Sequence, residues 1–172
     1  MSQERHGAVT FKGNPMTLVG SPIKSGDAAP DFRVVDNTLQ PVTLASSAGR
    51  IRLITIVPSL DTPVCDTMTR TFNLEAAKLP ENVAVYTISL DLPFAQKRWC
   101  GNAGIDRVKT LSDYQERSFA LNYGLLIKEL QLMARAVLVI DASDRISYLQ
   151  LVPEVTSEPD YAAALAAVKA LL

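Results

Sequence analysis

Along this chain, short runs with a two-residue apolar period give way repeatedly to stretches with a period near 3.6. Ala8-Val9-Thr10-Phe11 and Met16-Thr17-Leu18-Val19 flank Lys12-Gly13-Asn14-Pro15. That pattern predicts a hairpin over 8–19, closed by a four-residue turn. Pro, Ser and Gly concentrate between Ser21 and Pro30, which marks a loop. Phe32-Arg33-Val34-Val35 and Val42-Thr43-Leu44 predict a second hairpin around Asp36-Asn37. Ile51 to Val57 is β-branched and mostly apolar, as a central strand buried on both faces must be.

The period then changes. Cys65, Met68, Phe72, Ala76 and Leu79 share one face of a predicted helix that Pro80 ends. Val83 to Leu90 reads as the next strand. Asp91 is placed to cap a short helix from near Pro93, and Gly101 to end it, which puts Cys100 in its last turn. Val108 to Leu111 is a short strand, and Gln115 to Tyr123 a helix stopped by Gly124. Ala136 to Asp141 and Arg145 to Leu151 pair around Asp141-Ala142-Ser143-Asp144. Ser157 and Asp160 resemble a capping box for a last helix running to Leu172. The order, hairpins followed by β-α-β-α-β-α-β-β-α, predicts an α/β sheet with a parallel core covered on both faces.

A length of 172 residues fits one domain with a sizeable core, and residues 1–7 are expected to be flexible. The net charge of −1 gives no basic bias toward nucleic acid. No apolar run approaches the roughly 18 residues that span a membrane. The N-terminus lacks the apolar core of a secretory leader, so the cytoplasm is the default compartment. Stable disulfides are uncommon there. The two cysteines are therefore expected to be free or redox-active. The one histidine, His6, is too isolated to complete a zinc site with them.

Cys65 closes the octet Pro58-Ser59-Leu60-Asp61-Thr62-Pro63-Val64-Cys65, in the first turn of a helix that opens directly off a buried strand. Backbone N–H groups and the helix dipole favour a thiolate at such a place. A small core residue is the alternative, since cysteine is often buried. Thr62 puts a hydroxyl three residues before the thiol. Pro58 and Pro63 remove two N–H donors and stiffen the loop. No Cys-x-x-Cys occurs, so a thioredoxin-type dithiol is absent.

Pro58-x-x-x-Thr62-x-x-Cys65 resembles the peroxidatic motif of the peroxiredoxins, and the octet resembles their thiol peroxidase subgroup of atypical two-cysteine enzymes. Val9 to Pro15, Ser89 to Gln96 with Arg98-Trp99-Cys100-Gly101, Ala134 to Val137 with Ile140-Asp141, and Glu158 to Tyr161 are similar to that subgroup as well. The resemblance implies a thioredoxin-like fold: a central mixed sheet flanked by helices, with an N-terminal hairpin extension. It implies that Cys65 attacks hydrogen peroxide or an organic hydroperoxide and becomes a sulfenic acid. Cys100 then resolves this species into a Cys65–Cys100 disulfide within the chain. Pro58, Thr62 and Arg135, which matches the family's arginine before a late strand, complete the catalytic set. Thioredoxin is the implied reductant, no cofactor or metal is needed, and a homodimer is expected. Phe32, Leu60, Leu121, Tyr123, Leu125 and Leu126 are candidates for an apolar mouth at that dimer contact, and Trp99 and Phe94 for a pocket lining. A redox sensor, or a non-catalytic fold with an incidental thiol pair, is the competing reading of the same residues.

Overall fold

In the computed structural model, which describes residues 3–172, the chain opens with strands β1 (Glu4–Phe11), β2 (Asn14–Val19), β3 (Arg33–Val35), β4 (Pro41–Thr43) and β5 (Ile51–Ile56). Helix α1 (Pro63–Ala76), β6 (Val83–Ser89), α2 (Pro93–Ala103), β7 (Lys109–Ser112) and α3 (Ser118–Asn122) follow. The chain closes with β8 (Leu126–Ile127), β9 (Leu132–Met133), β10 (Ala136–Ile140), β11 (Ile146–Leu151) and α4 (Tyr161–Lys169). Seven strands form one sheet in the order β11-β10-β5-β6-β7-β3-β4. Its β5-β6 and β6-β7 pairs are parallel, while β10 joins β5 and β11 antiparallel. This is the mixed sheet flanked by helices that the resemblance implied.

Every residue of β5 and β6 is buried, because apolar layers cover both faces. On one face Leu53, Val85, Val137 and Val139 pack against Cys65, Met68, Phe72 and Ala76 of α1 and Ala164 and Val168 of α4. On the other, Ile54, Ile88, Leu111 and Leu138 pack against Phe32 and against Phe119 and Tyr123 from α3 and its end. The candidates for an apolar dimer mouth lie in these cores. Phe32, Leu60, Tyr123, Leu125 and Leu126 are all at most 5% exposed, so these five fill the monomer and offer no open mouth, whereas Leu121 is only partly buried. Their apolar character answers a need for internal packing.

The N-terminal hairpin is longer and tighter than expected. It starts at Glu4, within the 1–7 segment expected to be flexible, of which residues 1 and 2 lie outside the described residues. Asn14 and Pro15 pair with Phe11 and Thr10, leaving a two-residue turn of Lys12 and Gly13 at φ 50° and 80°. Positive φ at both turn residues matches the twist of the flanking strands. β2 also pairs with β8, and β8 with β9, in a separate four-stranded sheet. Two-residue strands such as β8 and β9 leave no readable period.

Several helix ends also differ. α2 runs through Gly101 to Ala103, and the left-handed Gly104 (φ 68°) stops it instead. α3 begins only at Ser118, because Arg117 is left-handed and the buried Asp113 accepts from the N–H groups of Phe119 and Ala120. α4 is capped by Asp160 alone, which accepts from Ala163 N at 3.0 Å, and its helical stretch ends at Lys169.

One charge sits inside the central sheet. Arg52 of β5 is fully buried, with Nε on Ser47 Oγ (2.8 Å), Nη1 on Asp141 O (2.9 Å) and Nη2 on Leu44 O (3.1 Å). Its Nη1 also lies 2.7 Å from Asp144 Oδ1. Removing one partner of such a pair strands the others, so Arg52→Ala should cost about 3 kcal/mol. The thermal midpoint of the reduced protein should fall by roughly 6–12 °C. An unchanged midpoint would show that the guanidinium does not tie the sheet to the 44–47 and 141–144 loops.

Candidate active site

The chain leaves β5 into Pro58, which is buried, and turns through Ser59 to Asp61 before α1 starts. Asp91 holds this turn. Its Oδ1 accepts from Ser59 Oγ at 2.7 Å, and its Oδ2 accepts from Leu60 N at 2.9 Å and from Ser89 Oγ at 2.7 Å. The expected role for Asp91, capping α2, is not the one it takes. Leu92 flanks α2 without a side-chain cap. The carboxylate instead ties the end of β6 to the loop that leads into Cys65.

Thr62 is the extended residue before α1 (φ −101°, ψ 148°), and its hydroxyl donates to Ser59 O at 3.0 Å. Pro63 takes the first helical position, where a missing N–H costs nothing. Cys65 is the third residue of α1 and is fully buried among Val57, Leu60, Met68 and Val137. It therefore opens the apolar face of the helix, as its spacing predicts.

Arg135 directly precedes β10, whose Ala136 pairs with Ile56 of β5, so it sits at the sheet end from which α1 departs. It is 2% exposed and forms no ion pair among the described residues. Nε donates to Val155 O at 2.9 Å, and Nη1 lies 3.6 Å from Met68 Sδ, one turn beyond Cys65. A thioether is a weak acceptor, so the guanidinium keeps donor capacity for a ligand. Pro58, Thr62 and Arg135 all border one mainly apolar cavity of about 350 Å³. Cys65 does not line it; the neighbouring Pro63 and Val64 do.

The second thiol lies elsewhere. Cys100 is half-buried on α2, with Sγ 3.4 Å from Thr110 Oγ1 in β7. β7 is two strands from β5, a displacement of roughly 10 Å. Both cysteines are free, and burial pushes the Cys100 thiol up. Trp99, beside it, donates Nε1 to Asp66 Oδ1 at 3.0 Å. Arg70 donates to Asp66 Oδ2 at 2.8 Å and to Ala103 O at 3.2 Å, with its guanidinium 5.8 Å from the Trp99 ring centre. These contacts clasp α1 to α2 between the two cysteines. Trp99 also borders a shallow cleft with Leu60, Asp61 and Thr62, whereas Phe94 is 67% exposed. Asp91 and Asp66 escape a reading by period because the partners that matter at the site, Ser59 and Leu60 for Asp91 and Trp99 for Asp66, are more than thirty residues away.

The Redoxin family profile matches residues 24–165. Over 165 residues the chain is 56% identical to a protein of Halalkalibacterium halodurans named thiol peroxidase, covering 96% of this chain and 99% of that one. It is 56% identical over 161 residues to a Staphylococcus aureus thiol peroxidase, covering 94% and 97% respectively. The crystal structure of a peroxiredoxin-like protein from Aquifex aeolicus superposes with a TM-score of 0.91 at 44% identity, over 96% of this chain and 98% of that one. Full-length agreement at this identity, on this sheet and this helix start, places the chain in the redoxin family, among the thiol peroxidases.

Proposed function

We propose that this single-domain thiol peroxidase reduces hydrogen peroxide and organic hydroperoxides through Cys65, with Cys100 as the resolving thiol and thioredoxin as the final reductant. The observation that carries the reading is that Pro58, Thr62 and Arg135 border one cavity at the start of the helix bearing Cys65. The Cys65 thiolate attacks the terminal peroxide oxygen. An S–O bond forms, the O–O bond breaks, and the departing oxygen takes a proton to leave as water or an alcohol. Charge develops on both oxygens as this happens. Arg135 meets it with donors already fixed in place, and the Thr62 hydroxyl offers lone pairs to the incoming proton.

Cys100 then attacks the sulfenic sulfur, hydroxide leaves as water, and a disulfide remains. That bond needs Cα atoms within about 7 Å. A fully buried Cys65 and a Cys100 packed on β7 do not meet while both helices are intact. The first turn of α1 and the body of α2 must therefore unwind, and the Asp66–Trp99–Arg70 clasp must open. Burial keeps Cys100 protonated in the packed fold, so the unwinding that frees it also favours its thiolate. Two thiols of thioredoxin reduce the disulfide and restore the helices. The reading places the protein where thioredoxin is kept reduced, as in the cytoplasm, and the family resemblance adds a homodimer.

Three measurements test this account. Cys65→Ser should abolish thioredoxin-linked peroxide turnover, whereas Cys100→Ser should allow one oxidation and then stall; full turnover by Cys100→Ser would remove it as the resolving thiol. Arg135→Ala should lower the second-order rate of Cys65 oxidation by about 100-fold, the usual effect of deleting one preorganised donor. An unchanged rate would take Arg135 out of the site. Trp99→Phe removes one hydrogen bond of about 1 kcal/mol. It should speed disulfide formation after Cys65 oxidation about five-fold in a quenched time course, and no acceleration would mean that the clasp does not hold back unwinding.

A further inference from the structure

Glu154 lies on the surface between β11 and α4, yet its carboxylate accepts five hydrogen bonds. Oε1 accepts from Thr10 Oγ1 at 2.9 Å and from Gly13 N at 2.8 Å. Oε2 accepts from Lys12 N at 3.2 Å, Thr156 N at 2.9 Å and Thr156 Oγ1 at 2.7 Å. The Thr156 and Gly13 N–H groups and the two hydroxyls hold this carboxyl down to about 2. A carboxylate has about four lone-pair positions, so both oxygens are saturated. No cation pairs with it among the described residues. Its charge is met by three backbone N–H groups and two hydroxyls.

What it fixes is the cavity. The donors at Lys12 and Gly13 form the left-handed turn of the β1–β2 hairpin, and Phe11 and Lys12 are cavity wall. The donors at Thr156 belong to the opposite wall, next to Val155. Thr10 N donates to Pro153 O, and Val155 N to Thr10 O, both at 2.8 Å, so the two segments run side by side. The Val155 carbonyl is the strong acceptor that aims Arg135.

We propose that Glu154 is a positioning residue for peroxide reduction: by pinning the hairpin turn to Val155-Thr156 it sets the mouth of the cavity and the carbonyl that orients Arg135. The proposal rests on the thiol peroxidase reading of this cavity. The hairpin has other anchors, since β2 pairs with β8 and Thr17 N donates to Glu129. Loss of Glu154 should therefore loosen the turn while leaving the fold intact. Glu154→Gln is a sharp change, because its NH2 would point a donor at the donors now facing one carboxylate oxygen.

The test is the second-order rate of Cys65 oxidation by hydrogen peroxide and by cumene hydroperoxide, read by quenched flow and mass spectrometry, with the later rate of disulfide formation measured in the same samples. For Glu154→Gln the rate with cumene hydroperoxide should fall about ten-fold, as for a lost charge-assisted bond. The rate with hydrogen peroxide should fall less, because a small substrate needs Arg135 but not the outer wall, and disulfide formation should be unchanged. Thr10→Val removes a single donor and should move the ratio of the two oxidation rates in the same direction. Wild-type rates for both peroxides in Glu154→Gln would overturn the proposal. So would an equal slowing of every step, which marks general loosening. Should Glu154→Gln fail to fold, an unchanged ratio in Thr10→Val would overturn it. Slow oxidation of wild-type Cys65 by both peroxides would instead remove the peroxidase reading, and this proposal with it.

Discussion

A guanidinium that is 2% exposed and forms no ion pair among the described residues is costly to fold, and the site is organised around that cost. Arg135 is held by one carbonyl and one thioether, at the end of a strand pinned to the centre of the sheet. A nearby carboxylate would satisfy it better and, on the proposed mechanism, would also cancel the charge offered to the breaking peroxide bond. Three acidic side chains near the site are occupied elsewhere. Asp91 is spent on Ser59, Leu60 and Ser89, Asp66 on Trp99 and Arg70, and Glu154 on five backbone and hydroxyl donors. Each steadies a wall of the site without reaching its cation.

The second constraint is the distance between the thiols. The packing that buries Cys65 on the inner face of α1 and seats Cys100 against β7 keeps them apart. On the proposed mechanism, the peroxide site and the disulfide are therefore two different arrangements of the same helices. The clasp across Asp66, Arg70, Trp99 and Ala103 stabilises the first of them. It is built from partly exposed polar contacts, which can break and re-form without disturbing the sheet.

The central architecture was legible because β5, β6 and β10 are mostly apolar and buried on both faces, and α1 carries a clear helical stripe. The start of α1 was legible too, since Pro63 and Cys65 follow the strand directly. What stayed hidden depends on partners far along the chain. Asp91 looks like a cap for α2 until Ser59 and Leu60 fold against it. Glu154 has a local partner in Thr156, but its contacts with Thr10, Lys12 and Gly13 span more than 140 residues. Gly101 reads as a helix stop, yet the α2 backbone stays right-handed until Gly104. The apolar set Phe32, Tyr123, Leu125 and Leu126 shows why hydrophobicity alone does not separate interface from core. Pro58, Thr62 and Arg135 border one cavity, although Arg135 lies far along the chain from the other two.

The central claim is that peroxide oxidises Cys65 and that Cys100, in the same chain, captures the product. Mass spectrometry of the reduced protein after one equivalent of hydrogen peroxide tests it most directly. The account predicts one dominant product, a peptide pair joined by a Cys65–Cys100 disulfide in a monomer-mass chain. A persistent Cys65 sulfenic acid with Cys100 still alkylatable, or a disulfide linking two chains, would contradict it.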